Sequence, residues 1–277
     1  MSAATPIRAL PEWRRFRFPH SLYKYGAVLG AFAFIYWSLD MLRIDIERLS
    51  GMLGRMSEVL ADRYWPPAVS HVLEAGYLRA VVDTFQMSYV ATVVGILIAI
   101  PLAWFGAYNM TPSRRFLYPV ARVIVMTCRS VHEMIWTIVI VAIVGFGMLP
   151  GTLAMTLFCI GFAGKLLAEA VEAVRVGPVE AIRASGANEF QVFVFAVLPQ
   201  VRVAWTGIAI YTWDVVFRAA TVVGFFGAGG MGHFLRESVQ RVESNQVAAI
   251  LLSIIVIVMV AELVSAWIRN RIARAIA

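Results

Sequence analysis

The stretch EAVEAVRVGPVEAIRASGANEFQVFVFAVLP, Glu169 to Pro199, lies between two segments that are each long and apolar enough to cross a bilayer. Gly177 and Pro178 predict a break after the preceding helix and the start of a short one at Pro178, where the missing proline N–H would be unpaired anyway. Glu180 then falls in the first turn, where negative charge favours the helix dipole, and Gly186 stands where a left-handed C′ residue would close the helix. The result is a helix of about two turns. Phe190, Phe193, Val194 and Val197, spaced i, i+3, i+4 and i+7, predict a second helix that ends before Pro199 opens the next segment. Two short helices joined at a glycine make a rigid knob. A plain connecting loop between two spans would read in the same way.

Working outward, apolar windows of about 20 residues predict six spans: Tyr25–Leu42, Thr84–Tyr108 with Pro101 as a kink, a region near Glu133–Met148, Thr152–Ala173, Gln200–Phe226 and Val247–Ile268. The block Phe116–Leu149 is too long for one span and carries Arg129, His132 and Glu133, so it is read as an approach helix leading into a span. The first apolar run follows Arg8, Arg14, Arg15, Arg17 and Lys24 without a small-residue cleavage site, and is read as an uncleaved signal anchor. Between the first two spans, Leu49, Met52, Leu53, Met56, Val59 and Leu60 share one helical face and Pro66-Pro67 ends it, predicting an interfacial or periplasmic helix. The expected layout is residues 1–83 as an N-terminal segment, first span and amphipathic helix, and residues 84–277 as a core of spans holding the loop 169–199.

A chain of 277 residues that is 60% hydrophobic, with a mean hydropathy of +0.76, is too apolar for an ordinary water-soluble domain. The net charge of +7 does not point to nucleic acid, because the basic residues flank the spans instead of gathering on one domain. The N-terminus, the Arg114-Arg115 turn, the knob and the C-terminus with Arg269, Arg271 and Arg274 fall on one side, which the positive-inside rule makes cytoplasmic. Cys128 and Cys159 have no CxxC or His spacing, so neither a disulfide framework nor a zinc site is indicated.

No GxxxxGK[ST] phosphate loop, GxSxG elbow or HExxH helix occurs, so no catalytic constellation emerges. The run Gly224 to Gly232 is expected to make tight turns and close helix contacts, or alternatively an anion-binding nest of backbone N–H groups at the outer end of a pore. Charges inside spans are costly, roughly 2.5–3.5 kcal/mol each on insertion scales. Asp214 and Arg218, like Arg129 and Glu133, are four apart and so placed to pair on one helix face. Either these are structural ion pairs, or Arg129 or Arg218 faces a pore and biases it towards anions. Lys165 and Glu262 are read as snorkelling near span ends, and His132 and His233 as structural.

Glu180-Ala181, then Gly186, then Leu198-Pro199 resembles the EAA loop of ABC importer permeases, with Ile182 in place of the second alanine and Ala196 where isoleucine is usual. Cys128-Arg129-Ser130 with Glu133-Met134, the run from Lys165 to Glu180, and Arg218 to Gly224 followed by Gly227 to Gly232 resemble the phosphonate branch of the MetI-like importers. The fold class this implies is an all-α polytopic membrane protein with six transmembrane helices and a cytoplasmic EAA coupling helix. The resemblance further implies a permease subunit that forms a homodimer in the bacterial inner membrane, sits on two ATP-binding cassette subunits and receives its cargo from a periplasmic binding protein. ATP and magnesium would be cofactors of the partner ATPase and not of this chain. Glu180, Ala181, Arg183, Gly186, Leu198 and Pro199 would couple to the ATPase, and Arg129, Glu133, Arg218, Gly227, Gly229 and Gly230 would lie along the substrate pathway. The implied cargo is a phosphonate, phosphite or hypophosphite. The same architecture carrying phosphate or an amino acid, a secondary transporter, and a non-transporting scaffold are the other readings.

Overall fold

The computed structural model describes residues 19–42 and 50–276, which places the N-terminal basic cluster (Arg8, Arg14, Arg15 and Arg17) and Leu49 outside the described residues. The chain divides into two units, Met1–Leu60 and Ala61–Ala277. In the first, α1 (His20–Met41) covers the expected first span, and α2 (Met52–Val59) is amphipathic with no buried residue. At about 1.5 Å per residue, α1 is long enough to cross a bilayer. Its tyrosines, Trp37, Lys24 and Asp40 hold its mean hydropathy below that of the spans that follow.

The second unit is built of α3 (Val69–Val72), α4 (Ala75–Gly106), α5 (Leu117–Ser130), α6 (Glu133–Val144), α7 (Met148–Glu172), α8 (Val176–Ala184), α9 (Glu189–Val192), α10 (Leu198–Val223), α11 (Met231–Gln240) and α12 (Ser244–Ile276). Among the described residues four helical stretches are long and apolar enough to span, and α5 with α6, bent by 91° at their junction, makes a fifth if the pair counts as one. The second span begins earlier than expected, at Ala75, and α4 runs through Pro101 without a break.

The helix α7 is the centre of this unit. Small residues let its neighbours approach closely, which is how helices associate where lipid removes the hydrophobic drive. Ala91, Gly95, Ala99 and Ala103 recur every fourth residue along the buried face of α4, and a Cβ at Gly95 would lie 2.5 Å from Cys159 Sγ on α7. On another face, a Cβ at Gly161 would meet Arg129 N at 2.6 Å and the Cys128 carbonyl carbon at 2.7 Å, so the end of α5 crosses α7 backbone to backbone. Buried hydroxyls on α4 are satisfied within the helix: Thr84 donates to the Ala80 carbonyl and Thr92 to that of Ser88. The opposite faces carry exposed Val93, Leu97, Ile255, Met259 and Leu263, side chains that lipid and not water would solvate.

Candidate functional site

At one end of the second unit, the loop after α7 builds the knob. The helix α8 begins at Val176 and not at Pro178, so Pro178 is its third residue and Glu180 sits in the second turn. The earlier start is tolerated there because Gly177 lacks the Cβ that adds to the clash of a residue before proline. The prolyl nitrogen still falls among the first four positions, whose N–H groups have no intrahelical partner. Ser185 caps the helix and Gly186 follows with φ +85°, the left-handed C′ residue that the spacing predicts. Asn188 then opens α9 with a capping box: its side chain accepts from the Gln191 N–H at 2.9 Å, and Gln191 Oε1 accepts from the Asn188 N–H at 2.9 Å.

The second knob helix does not end before Pro199. It passes through a π turn, Phe193–Val197, directly into α10. Pro199, the second residue of α10, brings no N–H to the ladder, and the wider π turn before it accommodates that loss. Gln200 bridges the junction, donating from Nε2 to the Ala196 carbonyl at 2.8 Å while its Oε1 accepts from the Arg175 N–H at 3.0 Å. One glutamine side chain thereby ties the entry of the knob to its exit.

The knob has two faces. Val179, Val192, Phe193, Ala196 and Val197 are buried in the same core as Leu167, Val171 and Trp205, and Ile182 packs partly against it. Glu180, Ala181, Arg183, Gly186 and Pro199 are exposed, and Leu198 is half-buried. Across the Gly186 turn Arg183 makes a bidentate pair with Glu189, Nε to Oε1 at 3.0 Å and Nη2 to Oε2 at 2.9 Å. These hydrogen bonds push the Arg183 guanidinium above its ordinary pKa. The turn is clamped on its open side and anchored on its buried side, so a force applied to the exposed face passes to α7 and α10.

A second junction nearby has no sequence signal. The Glu172 carboxylate at the end of α7 accepts from the Tyr108 N–H at 3.0 Å and from Arg122, and the Asn109 side chain donates to the carbonyls of Val171 and Glu172. The turn between α4 and α5 thus caps α7, through partners 50 to 64 residues apart.

The residues expected along a pathway are not gathered in one place. Arg129, next to the last residue of α5, lies beside Gly161, about 20 Å from the start of α7 at 1.5 Å per residue, near the middle of that helix. Arg129 and Glu133 do not form the expected helical pair, because the chain leaves helix at Val131 and turns by 91°. His132, the N-cap of α6, contacts Glu133 instead at 3.3 Å. Asp214 and Arg218 do pair, at 2.9 Å, with Asp214 only 4% exposed and Arg218 53%. That asymmetry makes a prediction. Arg218→Gln leaves a buried carboxylate uncompensated, whereas Asp214→Asn leaves a half-exposed guanidinium near the end of α10, long enough to snorkel towards the interface. Arg218→Gln is therefore expected to lower membrane level several-fold more than Asp214→Asn, with the double variant restoring much of the loss, as read by immunoblot of membranes.

Gly227, Gly229 and Gly230 lie together at the end opposite the knob, with φ of +102°, +79° and +66°. Their role there is close approach. A Cβ at Gly230 would strike Thr84 Oγ1, which accepts the Met231 N–H at 2.9 Å, and the Gly147 N–H donates to the Gly227 carbonyl at 3.0 Å. A Cβ at Gly227 would strike the Phe146 ring. Phe146 and Phe225-Phe226, with Arg236, surround an open bowl of 630 Å³ at this end. Sequence reading missed Arg236 because it sits alone in an amphipathic segment, with no motif around it.

Residues 78–277 match the family described as "Binding-protein-dependent transport system inner membrane component". The chain is 38% identical to the phosphite transport system permease protein PtxC of Stutzerimonas stutzeri over 98% of this chain and 99% of the relative. It is 39% identical to the phosphate-import permease protein PhnE of Mycolicibacterium smegmatis over 70% of this chain and 36% of that protein. Among solved structures, the inward-facing MetNI methionine ABC transporter aligns with a TM-score of 0.60 at 21% identity, covering 71% of this chain and 96% of that one. The bacterial alginate ABC transporter complex aligns with a TM-score of 0.60 at 14% identity, covering 90% and 97%; these two likenesses speak to fold alone. With its helical core, its clamped knob and these matches, the chain belongs to the family of inner-membrane components of binding-protein-dependent transport systems.

Proposed function

We propose that this chain is the permease subunit of an ATP-driven importer for phosphonate or a related phosphorus oxyanion such as phosphite. The observation that carries the proposal is the full-length likeness to a phosphite transport system permease, joined to an exposed knob built as the corresponding loop of such permeases would require. In this reading two copies of the chain form the pore in a bacterial inner membrane, with both termini and the knob in the cytoplasm. Two ATPase subunits, which hold ATP and magnesium, dock on Glu180, Ala181, Arg183, Gly186, Leu198 and Pro199, and a periplasmic binding protein delivers the anion at the opposite end. Because Val179 and Ile182 seat the knob in the core, closure of the ATPases moves α7 and α10 as rigid bodies and exchanges inward- for outward-facing pores. Arg129 near mid-membrane and Arg218 towards the outer end supply positive potential along the path, with Glu133 and the glycine turn shaping it.

The test is growth of a strain deleted for its own phosphorus-anion importers, carrying this chain with its neighbouring transport subunits, on methylphosphonate, phosphite or phosphate as sole phosphorus source. Growth on phosphonate or phosphite that disappears when this chain alone is deleted is the expected result. Growth on phosphate only would move the cargo to inorganic phosphate. Growth on none of the three, with the assembled complex present in the membrane, would overturn the proposal.

A further inference from the structure

Arg236 lies at the end of the second unit opposite the knob, half-buried where Arg79 and Arg241 are exposed. Its neighbour Glu237 pairs with Arg241, and among the described residues no carboxylate lies within ion-pair distance of Arg236. The residue is half-buried, and its guanidinium carbon lies 5.6 Å from the centroid of the Phe146 ring. Around it the walls of the bowl are apolar: Phe225 and Phe226, edge to face with centroids 5.7 Å apart, and Ile138 and Val141 from α6. The bowl's volume, 630 Å³, is in the range of small-molecule sites, roughly 300–1,000 Å³. Its shape depends on Gly227, whose left-handed backbone and missing Cβ let Phe146 lie against the loop, 2.5 Å from where that Cβ would be.

We infer that Arg236 and this aromatic bowl bind a small anion that carries an apolar group, the class to which alkylphosphonates belong. The chemistry follows from the lining. One guanidinium offers a planar fork of donors that matches two oxygens of a tetrahedral oxyanion. The remaining wall is aromatic and aliphatic carbon, which suits a carbon substituent and leaves any further oxygen facing it without a hydrogen-bond partner. A methylphosphonate therefore fits better than inorganic phosphate, whose fourth oxygen would have to be dehydrated against phenyl rings. The inference rests on the importer reading above and deepens it, by placing a selective contact at the outer end, opposite the knob.

The experiment measures binding without transport. The purified chain with its ATPase subunits, in nanodiscs and without binding protein, is titrated with methylphosphonate and separately with inorganic phosphate while ³¹P line broadening is followed. The expected result is saturable binding of methylphosphonate about tenfold tighter than phosphate. Arg236→Gln should weaken it by about tenfold or more, in keeping with loss of a charged hydrogen bond. Arg236→Lys should recover part of the affinity, and Phe226→Ala should narrow the gap between the two anions. An unchanged affinity in Arg236→Gln, equal binding of the two anions, or no binding by the unsubstituted complex would each overturn the site. Elution of each variant with its ATPase subunits at the unsubstituted position guards against misfolding. Because binding and growth are separate readouts, growth without Arg236-dependent binding removes the site alone, and binding without growth on any phosphorus anion removes the importer reading.

Discussion

Replacing Gly186 with valine is expected to cut ATP-dependent uptake by tenfold or more while leaving the protein at its normal level in the membrane. Nothing lies within 4 Å of the Cβ that a substitution at this position would add, so the effect is not one of space. It is conformational: Gly186 has φ +85°, and an L-residue in the left-handed region costs about 1–2 kcal/mol, more when it is β-branched. The chain can relieve that strain only by opening the turn between α8 and α9, which would break the bidentate Arg183–Glu189 clamp and re-aim the face carrying Glu180 and Ala181. The core anchors Val179, Val192 and Val197 do not depend on that turn, so the helices still assemble. Asparagine tolerates the left-handed region, so Gly186→Asn should retain uptake within about twofold. Measured as uptake normalised to immunoblotted protein, equal behaviour of the two variants would show that the backbone of the turn does not govern coupling.

The second large effect is expected at Gly161. Even a methyl group there would come within 2.6 Å of Arg129 N and 2.7 Å of the Cys128 carbonyl carbon, backbone atoms that move only if the whole end of α5 moves. Overpacking of this kind costs about 1–3 kcal/mol, occasionally more. For a chain of this size each kcal/mol lowers the melting temperature by about 2–4 °C. Gly161→Ala should thus melt several degrees lower than the unsubstituted protein in detergent. The matched control is Gly207→Ala on α10, where nothing lies within 4 Å and the helical backbone favours alanine by about 0.5–1 kcal/mol. That variant should melt at the same temperature or slightly higher. If Gly161→Ala melted like Gly207→Ala, the crossing of α5 on α7 would be looser than described.

The parts of this molecule that were legible in its sequence are those governed by local rules or by bulk composition. Long apolar runs specify spans because no other structure satisfies the backbone in lipid. Gly186 was readable because a left-handed C′ position strongly favours glycine. The misreadings share a cause, in that the deciding partner was distant or the rule had a local exception. The missing proline N–H places the start of α8 at Pro178, two residues late, because any of the first four helical positions tolerates that loss equally and the signal does not choose among them. The proline signal alone ends the second knob helix before Pro199, whereas nothing in FVFAV announces the π turn that carries the chain on into α10. The i,i+4 spacing places Arg129 and Glu133 on one helix face, but the chain bends by 91° between them, beside the close crossing of α5 on α7 at Gly161. The Glu172 junction with Tyr108 and Arg122, and the bowl at Arg236, join residues far apart in the chain, and no periodicity within one segment reports such a meeting.

The most direct test of the central claim is uptake of radiolabelled methylphosphonate and phosphite into liposomes that hold this chain with its ATPase subunits, in the presence of loaded binding protein. Accumulation that requires ATP and binding protein together, and that is lost in Gly186→Val, is the expected result. Accumulation that proceeds without ATP, driven by an ion gradient across the liposome membrane, would contradict it.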